Sequence, residues 1–128
     1  MARDKYMKRE IKFRAWDESI SRIRKVSSIN WFDEYIYVDE TPSGTCSKLL
    51  IEGTPLMQYT GLKDKNGKEI YEDDIVRVKS FSEPIMWIRF DRGAFYLASK
   101  DKEEIADIKY VERGEIIGNI YSNPELIK

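Results

Sequence analysis

A chain of 128 residues is long enough for one domain, and its 22 Lys and Arg against 23 Asp and Glu leave a net charge of −1, so overall charge creates no attraction to nucleic acid or an anionic membrane. Hydrophobic residues at 41% and aromatics at 12% supply a buried core despite 35% charged residues. The absence of His removes the commonest base near neutral pH, the commonest zinc ligand and every Ser-His or Cys-His pair, and the lone Cys46 excludes an internal disulfide.

No apolar run approaches the ~18 residues needed to span a bilayer, and Met1 to Tyr6 lacks the apolar stretch of a secretory signal. The expectation is a cytoplasmic protein with no membrane partner. Charge is nevertheless uneven: residues 1–30 hold nine Lys and Arg against four Asp and Glu, a net of +5, which leaves −6 for residues 31–128. Such a basic end is either a footprint for nucleic acid or a solvated strand face on which Lys and Arg discourage edge-to-edge aggregation, and the second reading is favoured.

In chain order, Glu10 to Trp16 alternates Ile11, Phe13 and Ala15 against Lys12, Arg14 and Trp16, the period of a half-buried strand. Asp17-Glu18-Ser19 is turn chemistry, and Ile20 to Val26 returns as an antiparallel partner. Tyr35 to Val38 is aromatic and β-branched and forms a third strand, ended by a loop at Thr41-Pro42-Ser43-Gly44. Leu56 to Thr60 and Lys68 to Tyr71 flank Asn66-Gly67, a hairpin signal that predicts a type I′ turn with pairing of Gln58–Thr60 to Lys68–Ile70. Short strands then recur at Ile75–Lys79, Ile85–Phe90, Ala94–Ala98 and Glu115–Tyr121, separated by turn residues, as in a small bent sheet or partly open barrel. Lys100 to Asp107 is the best helix candidate through Glu103, Glu104 and Ala106, though barely two turns long. Asn123-Pro124 ends the last strand.

Three segments look familiar: Arg9 to Asp17, Leu56 to Glu72 and Ile117 to Leu126. Through them the chain closely resembles the YopX-like family of bacteriophage and prophage proteins, from about Met7 to Ile127. The resemblance implies a mainly β fold, α+β at most, with a large mixed, strongly bent sheet and an SH3-like, partly open barrel in the second half. One domain is expected over residues 1–128: an extension at 1–6, N-terminal strands at 7–55, and a hairpin with the barrel region at 56–128. The family usually reads Tyr-Glu-Gly-Asp-Ile-Val where this chain has Tyr71-Glu72-Asp73-Asp74-Ile75-Val76. If that Gly has positive φ, Asp73 keeps the geometry at modest cost. The resemblance carries over no catalytic residue and implies no particular activity.

Glu69, Glu72, Asp73 and Asp74 offer four carboxylates within six positions, enough oxygens for a divalent cation but not the spacing of an EF-hand. A turn in which Asp74 bonds nearby backbone is the simpler account. Arg9, Lys12, Arg14, Trp16, Arg22, Arg24 and Lys25 mix basic side chains with an aromatic ring along two neighbouring strands, the composition of a phosphate-contacting, base-stacking face, although Trp16 and Arg14 could equally pack within the sheet. Tyr59, Tyr71, Trp87, Tyr96 and Tyr121 fall on or beside strands of the second half, where one or two could present a groove to an extended peptide. Trp31-Phe32 followed by Tyr35-Ile36-Tyr37-Val38 is dense enough to need a cover, either the chain itself or a subunit interface. Cys46, with no basic neighbour closer than Lys48, is an incidental thiol.

The reading that results is a phage or prophage accessory protein of the bacterial host cytoplasm, a non-enzymatic module that binds a host or phage protein. The alternative is a nucleic-acid-binding protein using the basic N-terminal strands. Macromolecule contacts are assigned to Arg14, Trp16, Arg22, Arg24, Trp87 and Tyr96, and a homo-oligomer interface to Trp31, Phe32, Tyr35, Ile36 and Tyr37. No catalytic residue, metal site or cofactor is assigned.

Overall fold

A computed structural model of the protein describes residues 9–40, 46–100 and 102–128. The extension at 1–6 and the loop expected at Thr41 to Gly44 lie outside them. Among the described residues eleven strands form two sheets. In the first, of six strands, the order is β4-β3-β2-β1-β5-β6, with β1 Phe13–Asp17, β2 Arg22–Asn30, β3 Tyr35–Glu40, β4 Cys46–Leu50, β5 Leu56–Lys63 and β6 Glu69–Tyr71. In the second, of five, it is β10-β9-β8-β7-β11, with β7 Asp74–Arg77, β8 Ile85–Asp91, β9 Ala94–Ser99, β10 Lys102–Asp107 and β11 Glu115–Asn119. The mainly β expectation is met.

Every pairing among the described strands is antiparallel, where the resemblance implied a mixed sheet. The connections explain it, since most are short hairpin turns and a parallel neighbour needs a crossover of a dozen or more residues. The five-stranded sheet stays open, with β10 and β11 at its edges. Its core is Ile70, Val76, Val78, Met86, Ile88, Leu97 and Val111, closed over by the 3-10 turn Ile108–Arg113.

The helix expected at Lys100 to Asp107 is not formed. Residues Lys102–Asp107 pair as β10 with β9 through Lys102↔Ser99 and Ala106↔Leu97. Two turns of isolated helix are marginal in water, whereas β9 offers a ready edge whose backbone groups need partners, and tertiary pairing overrides the weak propensity of Glu103 and Glu104.

At the Asn66-Gly67 hairpin, antiparallel pairing is found, in the register Tyr59↔Tyr71 and Lys63↔Glu69 with a bulge between. The turn is not type I′, because only Gly67 has positive φ, +82°. Gly67 N–H donates to Asp64 O at 2.9 Å and Asp64 N–H to Lys68 O at 2.8 Å, the pattern of a type I turn followed by a glycine bulge. Asp64 imposes it: its buried Oδ1 accepts from the N–H groups of Asn66 and Lys68, and its Oδ2 accepts from Ile116 N–H at 3.0 Å, tying the hairpin to β11.

The simple alternation expected of β1 also fails, for an informative reason. Ile11 precedes the strand and is exposed, while Ala15 and Trp16, on opposite faces, are both buried. The face that was expected to be wet meets the second half of the chain.

Candidate macromolecule-binding surface

The acidic run Glu69 to Asp74 is where the chain leaves one sheet and enters the other. Glu72 N–H donates to Gln58 O in the first sheet, and Asp73 N–H donates to Ile88 O in the second, both at 2.9 Å. The corner needs one left-handed residue, which is Asp73 with φ +70°, the geometry the sequence pattern allowed for at this position. The four carboxylates do not converge. Asp74 Oδ2 accepts from Tyr71 N–H at 2.8 Å and its Oδ1 from Arg14 at 2.7 Å; Asp73 accepts from Tyr121 Oη at 2.9 Å; Glu72 accepts from Gln58 N–H; Glu69 holds Lys12 at 2.5 Å. Among the described residues no three Asp, Glu or Cys side chains are grouped as metal ligands. Burial raises the pKa of Asp74, with Arg14 opposing it, and burial likewise raises Asp73 and Glu72. Tyr121 is pushed well above the usual phenol range by burial and by Asp73 beside it.

The basic strands are partly taken up by internal contacts, Arg14 and Trp16 at this corner and Arg24 on the opposite face of the sheet. Arg14 spans the two sheets, its guanidinium 4.8 Å from the Tyr71 ring centroid and hydrogen-bonded to Asp74. Trp16 stacks on Tyr121 at 5.7 Å and 21°, and its Nε1–H donates to Glu18. Arg24 is buried and held by Asp17 at 2.9 Å and Asp39 at 3.0 Å. Burial opposes ionisation of Asp17, but its bonds from Ser19 and Arg24 outweigh that and lower its pKa. Lys12, bonded to Glu69 and Glu10, has its pKa raised by those contacts. Of the residues assigned to a macromolecule contact, Arg14, Trp16 and Arg24 are therefore internal, and only Arg22 of the N-terminal group is exposed. Trp87 is half-buried and lines a cavity of about 120 Å³ with Ile85, Leu126 and Ile127. Tyr96 is buried at the wall of a shallow groove of about 530 Å³ near Asp91, Phe95 and Asp107.

The Trp31 to Tyr37 stretch divides sharply. Ile36 is fully buried inside the sheet's own packing, which removes it from any subunit interface, and Tyr35 and Tyr37 are half-buried. Trp31 and Phe32, in the four-residue turn between β2 and β3, are 66% and 95% exposed. The turn is nonetheless closed by specific hydrogen bonds. Asn30 Oδ1 accepts from Asp33 N–H at 2.9 Å while Asn30 Nδ2 donates to Asp33 Oδ2 at 3.0 Å, Glu34 takes the left-handed conformation at φ +64°, and Glu34 O accepts from Ile51 N–H at 3.0 Å. Leu50, paired with Tyr35, adds a further exposed apolar side chain beside the turn. Sequence reasoning found the aromatic density but missed this clamp, although Asn30 and Asp33 at a spacing of three are the side-chain pair that closes such a turn.

A family model described as YopX protein matches residues 12–128. The chain is also similar to the crystal structure of protein EF1440 from Enterococcus faecalis, at 27% identity and a TM-score of 0.66, over 94% of this chain and 100% of that one. No curated protein matches.

Proposed function

The chain belongs to the YopX protein family, and we infer from its surface that it is a non-enzymatic protein-binding module, an accessory protein of a phage or prophage acting in the host cytoplasm. The observation that carries this reading is a contrast. Asp74 and Asp73 are engaged by Arg14 and Tyr121 inside the sheet-to-sheet corner, and Arg24 by Asp17 within the first sheet, while Trp31 and Phe32 stand in water on a clamped turn.

A turn whose backbone is already fixed by Asn30 and Asp33 has less ordering entropy to lose on binding, and Trp in particular is enriched among residues that dominate protein interfaces. Asp33 and Glu34 beside them oppose an anionic membrane surface or a nucleic-acid backbone. No helix among the described residues is long and apolar enough to cross a membrane. The test is retention from bacterial lysate on immobilised wild-type and Phe32→Ser protein at low and moderate salt. Protein species held by the wild type and lost with Phe32→Ser support the reading. Retention of nucleic acid that falls steeply with salt and is indifferent to Phe32 overturns it in favour of the basic strands.

A further inference from the structure

The Trp31–Phe32 turn is not alone at its end of the six-stranded sheet. Strand register gives a common level, because Arg14 lies opposite Lys25 of β2 and opposite Met57 of β5. From there β2 continues to Asn30 and β5 to Lys63, so both run past the start of β1 at Phe13 by a similar length, roughly 13 and 17 Å at ~3.3 Å per residue. The aromatic turn and the β5–β6 hairpin therefore project from the same end. With β1 between β2 and β5, their centres are about three strand spacings apart, on the order of 14 Å.

Their charges are opposite. Around the aromatic turn lie exposed Asp33, Glu34 and Glu52, the last following Ile51, whose N–H donates to Glu34 O. The hairpin carries exposed Lys63, Lys65 and Lys68, none with an ion-pair partner among the described residues. Its own acid, Asp64, is turned inward onto backbone N–H groups, and Glu69 is held by Lys12.

We propose that the occupant of the Trp31–Phe32 turn is the lysine hairpin of a second copy of this chain, in a two-fold dimer joined at this end of the sheet. The proposal rests on the reading of that turn as a protein contact and names the partner. A two-fold axis normal to the sheet, midway between the two projections, carries each aromatic turn onto the partner's hairpin, so the acidic and basic groups meet twice. Lysine suits the aromatic rings as well as the carboxylates, since its methylene stem covers apolar surface and its ammonium is attracted to a ring face. This chain already pairs the two internally, with Lys48 Nζ 4.3 Å from the Tyr35 ring centroid and Lys12 Nζ 4.8 Å from that of Tyr59. Four covered rings bury on the order of 600 Å², and with a similar area of hairpin the contact reaches ~1,200 Å², the lower end of specific interfaces.

Analytical ultracentrifugation of the whole protein from ~1 to ~100 µM tests it, with Kd read from the concentration dependence. Wild type should show a monomer–dimer equilibrium in that range. Phe32→Ser, at a site too exposed to affect folding, should weaken the dimer by about tenfold or more with unchanged far-UV circular dichroism. Two charge-reversed proteins give the sharper result: Glu34→Lys with Glu52→Lys in one, Lys65→Glu with Lys68→Glu in the other. Each alone should be monomeric, and an equimolar mixture should recover the dimer, because only the mixed pair restores both contacts. A wild type that stays monomeric at ~100 µM overturns the proposal while leaving open capture of a different protein by the turn, and a dimer indifferent to Phe32 and to the charge reversals overturns it too.

Discussion

Replacing Arg14 by Met tests whether the sheet-to-sheet corner is held as described. The Asp74 side chain is only 3% exposed and the Arg14 side chain 14%, with 2.7 Å between them. Met retains much of the aliphatic stem beside Met57 and Tyr71, so the perturbation is chiefly electrostatic. It leaves a buried carboxylate with one remaining bond, from Tyr71 N–H. Removing one partner of a buried pair typically costs ~3–5 kcal/mol, and the residual exposure of Arg14 favours the lower figure, about 3 kcal/mol. For a domain of this size that corresponds to a fall of roughly 10 °C in Tm. The pH dependence sharpens the test. Burial raises the folded pKa of Asp74 and Arg14 restrains it, so the variant's Asp74 should titrate higher still. A carboxylate with a raised folded pKa destabilises the native state above that pKa, and the penalty fades as pH falls through it. The cost of Arg14→Met, from urea unfolding followed by Trp fluorescence, should therefore shrink between pH ~7 and ~4.5. Adding Asp74→Asn, whose carbonyl still accepts from Tyr71, should recover at least about 1 kcal/mol of the loss. A cost below ~1 kcal/mol, or one that does not change with pH, would refute a buried Arg14–Asp74 pair as the corner's main support.

Other consequences are open to the same assays. Asp64→Asn should cost about 2 kcal/mol at neutral pH, because the amide cannot accept from the N–H groups of Asn66, Lys68 and Ile116 at once. Burial disfavours the Asp64 carboxylate, but those bonds outweigh it and its folded pKa is lowered, so its contribution is present above pH ~4 and lost as pH falls through the folded value; the variant's acid-unfolding limb should accordingly be shallower. Gly67→Val should destabilise by ~1–2 kcal/mol through backbone strain alone, since φ is +82° and a Cβ there meets nothing within 4 Å; an unchanged urea midpoint contradicts the left-handed bulge. Asp73→Ala and Asp73→Gly both remove the acceptor of Tyr121, so the Ala variant should be the less stable by ~1–2 kcal/mol, the cost of a side chain at φ +70°.

Where side chains alternate or turn residues cluster, the fold was legible: β2, β3 and the run β7 to β9 with β11 lie within a few residues of their expected positions. What local pattern could not convey was which faces meet. Arg14 and Trp16 have the composition of a nucleic-acid surface, and only the pairing of β1 with β5, followed by the fold at Glu72-Asp73, brings Asp74 and Tyr121 onto their face. Arg24 depends likewise on Asp39, which is adjacent only because β2 pairs with β3. Lys102 to Asp107 misled because an edge strand draws its stability from a neighbour, not from its own residues. In the Trp31 to Tyr37 stretch the apolar and aromatic density was plain, but it could not separate Ile36, inside the strand, from Phe32, one turn earlier and in water.

The most direct test of a protein-binding role for the aromatic turn is site-specific photo-crosslinking in growing bacterial cells. A benzophenone amino acid at position 32 is compared with one at Arg22, which with Arg9 and Lys25 remains exposed on the basic strands. Position 32 should give a discrete adduct that resists nuclease and is destroyed by protease, with none from position 22. A nuclease-sensitive adduct at position 22 with nothing at position 32 would contradict the account.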